Sequence, residues 1–322
     1  MTFPLREIGR TGIFVTPLAM GCWPIAGITS IDVTEEHSLA TLEAAAASGI
    51  NFFDTAYCYG YGGESEKMIR RALGHRRDEI VIASKGGIHY EGLVQVKDAH
   101  RATLLRECEE SLTRLGTDRI DLYYLNDPDP NTPIEESAAA MKSLLDAGKI
   151  RSVGVSNFNS QQLADFHAVC PISASQPLFN MLQREIEESH LPWCIEHEVS
   201  AIIYWPLMKG LLAGKLSRDH QFAASDGRHK YPMFSGTEWQ KNQDFVDRLR
   251  VIASECHSTV SQLVLNWTIQ RPGITAALCG AKRPEQIREN AGTLTWKLTD
   301  DQIKRIDQAI ADRGPIVSRA AV

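Results

Sequence analysis

"NFFDTAYCYGYGGESEKMIRRAL" occupies residues 51–73. Its first six residues, "NFFDTA", form a short apolar run carrying one acid, Asp54. A run of that length, rich in aromatics, reads as a buried strand. A loop of tyrosines and glycines follows, and "ESEKMIRRAL" then reads as a helix. The stretch is one strand–loop–helix unit, and the same unit recurs on both sides of it. Before it stands the strand "LAMGC" (18–22), then a helix over 35–48 with Leu39, Leu42 and Ala46 on one face and Gly49 as its stop. After it comes "EIVIASK" (79–85), then a helix at 101–115 on the stripe Leu105, Cys108, Leu112, Leu115. "DLYYLN" (121–126) is the fourth strand, and Thr132, Pro133 and Glu135 predict a capping box at the next helix, which Gly148 ends. "IRSVGVSN" (150–157), "SASQPLFN" (173–180), "VSAIIYWP" (199–206) and "ITAALCGA" (274–281) complete the strands.

Eight such alternations, with no linker, repeat or low-complexity break, imply parallel strands and right-handed crossovers. Eight units in ~280 residues predict an α/β fold, a (β/α)8 TIM barrel forming one domain over 1–322. A doubly wound sheet is the alternative. Residues 2–16 read as an N-terminal β-hairpin, 209–241 as a long loop after the seventh strand, and "SRAAV" (318–322) as a frayed tail.

The composition narrows the function. A net charge of −6 and the lack of a long basic run argue against nucleic acid as a partner. No apolar run approaches the ~18 residues that span a bilayer, and the N-terminus lacks a basic and then apolar leader, so a cytoplasmic protein without a membrane partner is expected. The 7 cysteines are spread without C-x-x-C, and the 10 histidines without H-E-x-x-H, so neither disulfides nor a metal is indicated. A small-molecule substrate remains.

In a parallel barrel the C-terminal strand ends share one face. Gly21, Cys22, Asp54, Lys85, Asn126, Ser156, Asn157, Gln176, Tyr204 and Gly280 stand there. Wet strand ends are often polar, so no single position carries much weight. Lys85 is the informative one, because it ends a run that should be buried on both faces. A lysine there needs a counter-charge, and Asp54 on the neighbouring strand can supply it. Tyr59 follows Asp54 by five residues on the loop over the mouth. Beside a buried ammonium its phenolate is stabilised, so its pKa is expected to fall, which would make it a proton donor near neutral pH.

At these residues the chain resembles the aldo-keto reductases. The motifs are "FFDTAYCYG", "VIASKGG", "GKIRSVGVSNF", "YWPLMKGLLAGK" and "CGAKRPEQIREN", in that order over nearly the whole chain. The resemblance implies a (β/α)8 barrel that binds NADP(H), with NAD(H) as the alternative, and reduces aldehydes or ketones. No G-x-G-x-x-G is present, consistent with a nicotinamide site of another kind. Asp54, Tyr59 and Lys85 match catalytic positions, with Tyr59 as general acid. Ser156, Asn157 and Gln176 match the positions that hold the nicotinamide amide, and Tyr204 the ring that stacks on it. The resemblance also assigns Gly21, Cys22 and Trp23 to the cofactor, with Trp205, Pro206, Leu207, Gly210 and Lys215 from the seventh-strand motif. Gly280, Lys282 and Arg283 open the last motif's helix, where phosphate would meet free N–H groups. Gln286, Glu289 and Asn290 match adenosine contacts.

One position departs. The family usually has a histidine at the end of the fourth strand, and this chain reads "YYLNDPDP" with Asn126 there. Asn can donate a hydrogen bond to a substrate oxygen but cannot titrate. Either the protein is a working reductase with a different pocket, or it is a nicotinamide-binding sensor or partner subunit with weak catalysis, like potassium-channel β subunits, which also carry Asn. The intact Asp54/Lys85/Tyr59 trio favours the reductase. A lyase or epimerase using Lys85 as a Schiff base is a third reading. Trp23, Tyr57, Tyr90, Asn126, Asp127 and Trp205 read as the pocket rim, a mixture of flat rings and polar groups suited to a sugar or keto-sugar.

Overall fold

A computed structural model describes residues 3–28 and 32–317. The predicted tail at 318–322 and the first residue of the predicted hairpin lie outside them. The hairpin pairs β1 (Arg6–Glu7) with β2 (Phe14–Val15). Eight parallel strands then close a barrel: β3 (Leu18–Gly21), β4 (Phe52–Asp54), β5 (Val81–Gly86), β8 (Leu122–Leu125), β9 (Val153–Ser156), β10 (Ala174–Gln176), β11 (Ser200–Ile203) and β12 (Ile274–Gly280). They sit in chain order around the ring, and β12 pairs β3 to shut it. The predicted barrel is the observed one. No helix among the described residues is long and apolar enough to cross a membrane.

The helices that return the chain are α1 (Glu35–Ala47), α2 (Glu64–Leu73), α3 (Arg101–Leu115), α4 (Ile134–Asp146), α5 (Ser160–Val169), α6 (His190–Glu196), α7 (Gly236–Glu255), α8 (Val260–Ile269), α9 (Pro284–Ala291) and α10 (Asp300–Arg313). Their buried faces meet the outward side chains of the strands in one large cluster that includes Met20, Phe53, Ile82, Leu125 and Val155. Inward side chains form a second cluster with Ala19, Phe52, Ala83, Tyr124, Ile202 and Leu278. Strand period two produces this division. It also decides which polar residues enter the barrel, for Asp54 lies two residues beyond Phe52 and Lys85 two beyond Ala83. The hairpin contributes Ile8, Ile13 and Val15 to the inner cluster, beside the first residues of the strands. Gly9 N–H donates to Ser200 Oγ at 2.9 Å, and Arg6 caps Ile269 and Ile274 carbonyls at 2.8 Å each. The hairpin therefore stoppers the N-terminal end.

Three local expectations change. Thr132 does not cap α4. Its hydroxyl donates to Asp129 Oδ2 at 2.7 Å, and Pro133 stands at the cap without a side-chain bond. The stretch 209–241 is loop and short 3-10 turns only to Ser235, because α7 begins at Gly236. After Trp239 the next buried positions of α7 are Asn242 and Gln243, so a continuous apolar stripe starts only near Phe245. Finally, "IHYEGLVQVK" forms an antiparallel hairpin, β6 (Ile88–Glu91) with β7 (Val94–Lys97), between β5 and α3.

Candidate active site

Asp54 and Lys85 meet inside the barrel at its C-terminal end, each 1 % exposed. Lys85 Nζ bonds Asp54 Oδ1 directly, and donates to the Thr55 carbonyl at 2.9 Å. Asp54 Oδ2 accepts from Gln176 Nε2 at 2.8 Å. Every strong partner of the pair is supplied, which is what keeps two charges tolerable away from water. Burial pushes the Asp54 carboxyl up, and Lys85 and Gln176 pull it back.

Tyr59 lies over this pair. Its hydroxyl is 3.4 Å from Lys85 Nζ, and the ammonium stands 4.9 Å from its ring centre. Trp23 packs edge-on against the same ring at 5.0 Å. Tyr59 is half-buried whereas the ion pair is not exposed, so the phenol is the part of the cluster that reaches the mouth. The expected fall in its pKa does not occur. Burial, and then the Asp54 charge, hold it well above the ordinary tyrosine value. Asp54 neutralises the ammonium, so a neutral pair faces the phenol and desolvation decides the direction.

Asn126 follows β8. Its Nδ2 points to Cys58 Sγ at 3.5 Å, and its carbonyl accepts from Asn157 Nδ2 at 3.1 Å. Ser156 Oγ donates to the Gln176 carbonyl at 3.0 Å. Tyr204 donates its hydroxyl to Asn157 Oδ1 at 2.8 Å, joining the ends of β9 and β11. Both of those ends carry a left-handed residue, Asn157 with φ 63 and Trp205 with φ 60. Trp205 meets Tyr204 on one side and Tyr231 on the other, and Lys209 Nζ covers its ring at 4.0 Å.

Gly21 pairs with both Asp54 and Gly280 in the rim register. A Cβ on Gly280 would lie 2.7 Å from the Pro24 ring, so only glycine fits there. Pro206 is buried, Leu207 is half-buried, and Gly210 turns the chain with φ 90. Lys215 ion-pairs with Glu289 at 3.1 Å. Gln286 Oε1 accepts from the N–H groups of Lys282 and Arg283 at 2.8 and 3.2 Å. Two predicted cofactor residues have side chains engaged within the protein: Cys22 is 0 % exposed with its thiol on the Met20 carbonyl, and Asn290 donates to Cys279 Sγ at 3.0 Å. Among the rim candidates, Tyr57 gives its hydroxyl to Glu110 at 2.7 Å, Asp127 pairs with Lys97 at 3.0 Å, and Tyr90 stands on the β6–β7 hairpin beside Tyr61.

Sequence reasoning missed three groups. Arg228 brings a guanidinium close enough to depress Lys282, second only to burial as a cause. Asp226 holds it, with Nη2 to Oδ2 at 2.6 Å. The "GRHK" run of the long loop was the only trace of it. The others are Glu66 and Glu107, both 0 % exposed, behind β5. Glu66 Oε1 accepts from Ser84 Oγ at 2.7 Å, and Glu107 Oε2 from Gly87 N–H at 2.7 Å. Their positions on α2 and α3 read as ordinary helix charges.

The chain matches the aldo/keto reductase family over residues 17–311. Aldo-keto reductase YhdN of Bacillus subtilis (strain 168) is 36% identical to it over 304 residues, 94% of this chain and 92% of that one. Aldo-keto reductase yakc [NADP(+)] of Schizosaccharomyces pombe is 32% identical over 318 residues, 96% of this chain and 92% of its own. The solved glycerol dehydrogenase AKR11B4 from Gluconobacter oxydans superposes with a TM-score of 0.91 at 32% identity, covering 99% of this chain and 98% of that one.

Proposed function

Because the chain belongs to the aldo/keto reductase family, and its activity is NAD(P)H-dependent carbonyl reduction, we propose a division of labour among the residues at the barrel mouth. Tyr59 is the proton donor, Lys85 and Asp54 position it, and Asn126 orients the carbonyl oxygen without titrating. The observation that carries this reading is the Tyr59 hydroxyl, within 3.4 Å of Lys85 and on the open side of a closed ion pair.

The donor set fits a nicotinamide cofactor. Tyr204 presents a half-exposed ring bonded to Asn157, and Ser156 and Gln176 end the neighbouring strands with a hydroxyl and an amide. Burial and the charges of Arg228 and Arg283 depress Lys282, with Asp226 already bound to Arg228, so a phosphate there would still meet an excess of positive charge. That favours NADP(H), with its extra 2′-phosphate, over NAD(H). The bound cofactor supplies the hydride. Tyr59 gives its proton to the carbonyl oxygen as negative charge develops there. A phenol held well above its ordinary value still suffices, because the alkoxide it protonates is far more basic than a phenolate. Asn126 Nδ2 helps carry the charge on that oxygen. Sugars and keto-sugars head the substrate panel, since Trp23, Tyr90 and Trp205 are flat surfaces among polar groups.

The test is Tyr59→Phe. Positioned acid catalysis is worth about 10²–10⁴-fold, so kcat/KM should fall by that much while NADPH binding, followed by fluorescence, persists. A loss below about tenfold removes Tyr59 from the role.

A further inference from the structure

Building on the reductase reading above, we propose that the cavity between the β4–α2 loop and the β6–β7 hairpin receives a carboxylate at the far end of the substrate. The cavity holds about 130 Å³, roughly four times a water's share of liquid volume. That admits a carboxylate with one or two carbons and excludes a second ring. Its walls include Tyr57, Cys58, Tyr61, His89, Tyr90 and Arg106. Cys58 is a lining residue next to the reaction centre in the chain. It directly precedes Tyr59, and its Sγ accepts from Asn126 Nδ2. A carbonyl held at Tyr59 and Asn126 therefore has this cavity beside it.

The cavity offers donors. Arg106 is half exposed and stands 3.8 Å from Glu107 and 3.9 Å from Glu110. Both contacts are longer than hydrogen bonds, which leaves its planar fork for a ligand. The Tyr90 hydroxyl accepts from Gln95 Nε2 at 2.9 Å and keeps its own hydrogen to give. His89 turns Nδ1 to Glu107 Oε1 at 3.0 Å, so its other ring nitrogen is not engaged by that carboxylate. The nearby acids are already occupied. Glu107 holds Gly87 N–H and His89, and Glu110 Oε2 holds the Tyr57 hydroxyl and, at 3.4 Å, Arg114. Of the lining residues only Arg106 carries a fixed charge. An acceptor-only, planar, anionic group matches that set, and a neutral hydroxyl would add no ion pair to the two long ones that the guanidinium makes with Glu107 and Glu110.

The experiment measures reduction of 4-oxobutanoate against butanal and 4-hydroxybutanal, and of 5-oxopentanoate against pentanal. It uses the full chain with NADPH, in the wild type, Arg106→Ala and Arg106→Lys. At least one oxo acid should exceed its methyl-ended partner by about tenfold in kcat/KM, the worth of one charge-assisted hydrogen bond, with the difference carried in KM. The ratio should drop toward unity in Arg106→Ala and return in part in Arg106→Lys. A wild-type ratio near unity, a ratio unmoved by Arg106→Ala, or a preference for 4-hydroxybutanal over the oxo acid overturns the carboxylate subsite and leaves the reductase standing. Reduction of sugars but of none of these aldehydes also overturns the subsite, and failure on sugars as well overturns the reductase reading with it.

Discussion

Strand β5 has two faces, and both bury charge. Inward, Lys85 meets Asp54, Thr55 and Tyr59. Outward, Ser84 meets Glu66, which also holds Arg114 at 3.3 Å, and Gly87 meets Glu107. A Cβ on Gly86, between them, would lie 2.2 Å from the Tyr123 hydroxyl, so the outer face is packed to contact. The acids on the two sides are equally hidden, and burial raises Asp54, Glu66 and Glu107 alike. The difference is the way out. The inner cluster ends in a phenol that reaches the mouth, while Glu66 on the outer side ends in Ser84, Arg114 and helix. Buried charge alone does not mark chemistry; buried charge joined to an accessible proton does.

The comparison can be broken most forcefully from inside. Lys85→Met leaves Asp54 hidden without its partner, an arrangement that typically costs about 3–5 kcal/mol. Urea unfolding should show that loss, and activity should vanish with it. If the variant is as stable as the wild type, the pair is not the strut described here. On the outside, Gly86→Ala forces the Tyr123 hydroxyl aside and should cost about 1–3 kcal/mol, the usual penalty for overpacking. Its residual kcat/KM at permissive temperature tells whether the outer face positions Lys85 or merely holds the strand.

A smaller effect separates the faces by pH. Glu66 is raised in the fold, chiefly by burial, so the native state keeps its proton longer than the unfolded chain. The unfolded state then binds fewer protons, and stability declines as pH rises from about 4.5, the ordinary glutamate value, through the folded pKa. Glu66→Gln removes that decline, and its unfolding free energy should be the flatter of the two across the window. The inner face predicts the opposite kind of silence. With Tyr59 held well above its ordinary value, the reductive kcat/KM should stay level between about pH 7 and pH 9. A fall in that range would mean that the phenol titrates low, as its sequence context alone predicts.

The barrel was legible because each strand is an apolar run closed by a turn signal, and period two then carries Asp54 and Lys85 to the same side. Lys85 announced itself by ending "IVIASK" with a charge. Glu66 and Glu107 did not, since an acid on a helix reads as solvated until the neighbouring layer is known. Arg228 is a loop residue brought to Lys282 by a long excursion that no local pattern records. The Tyr59 pKa was misread because the burial of the phenol, its largest cause, shows only in the packed structure, and the Asp54 charge beside Lys85 was left out of the balance.

The left-handed backbone at Asn157 and Trp205 bears on how this protein can be improved. Conformations of that kind cost of order 1 kcal/mol or more outside glycine. Glycine at position 205 would relieve that cost, yet it would also strip the aromatic wall between Tyr204 and Tyr231. The ring's contacts with Tyr204, Tyr231 and Lys209 outweigh a relief of that size, so a screen for heat resistance would keep the strained turn together with its ring.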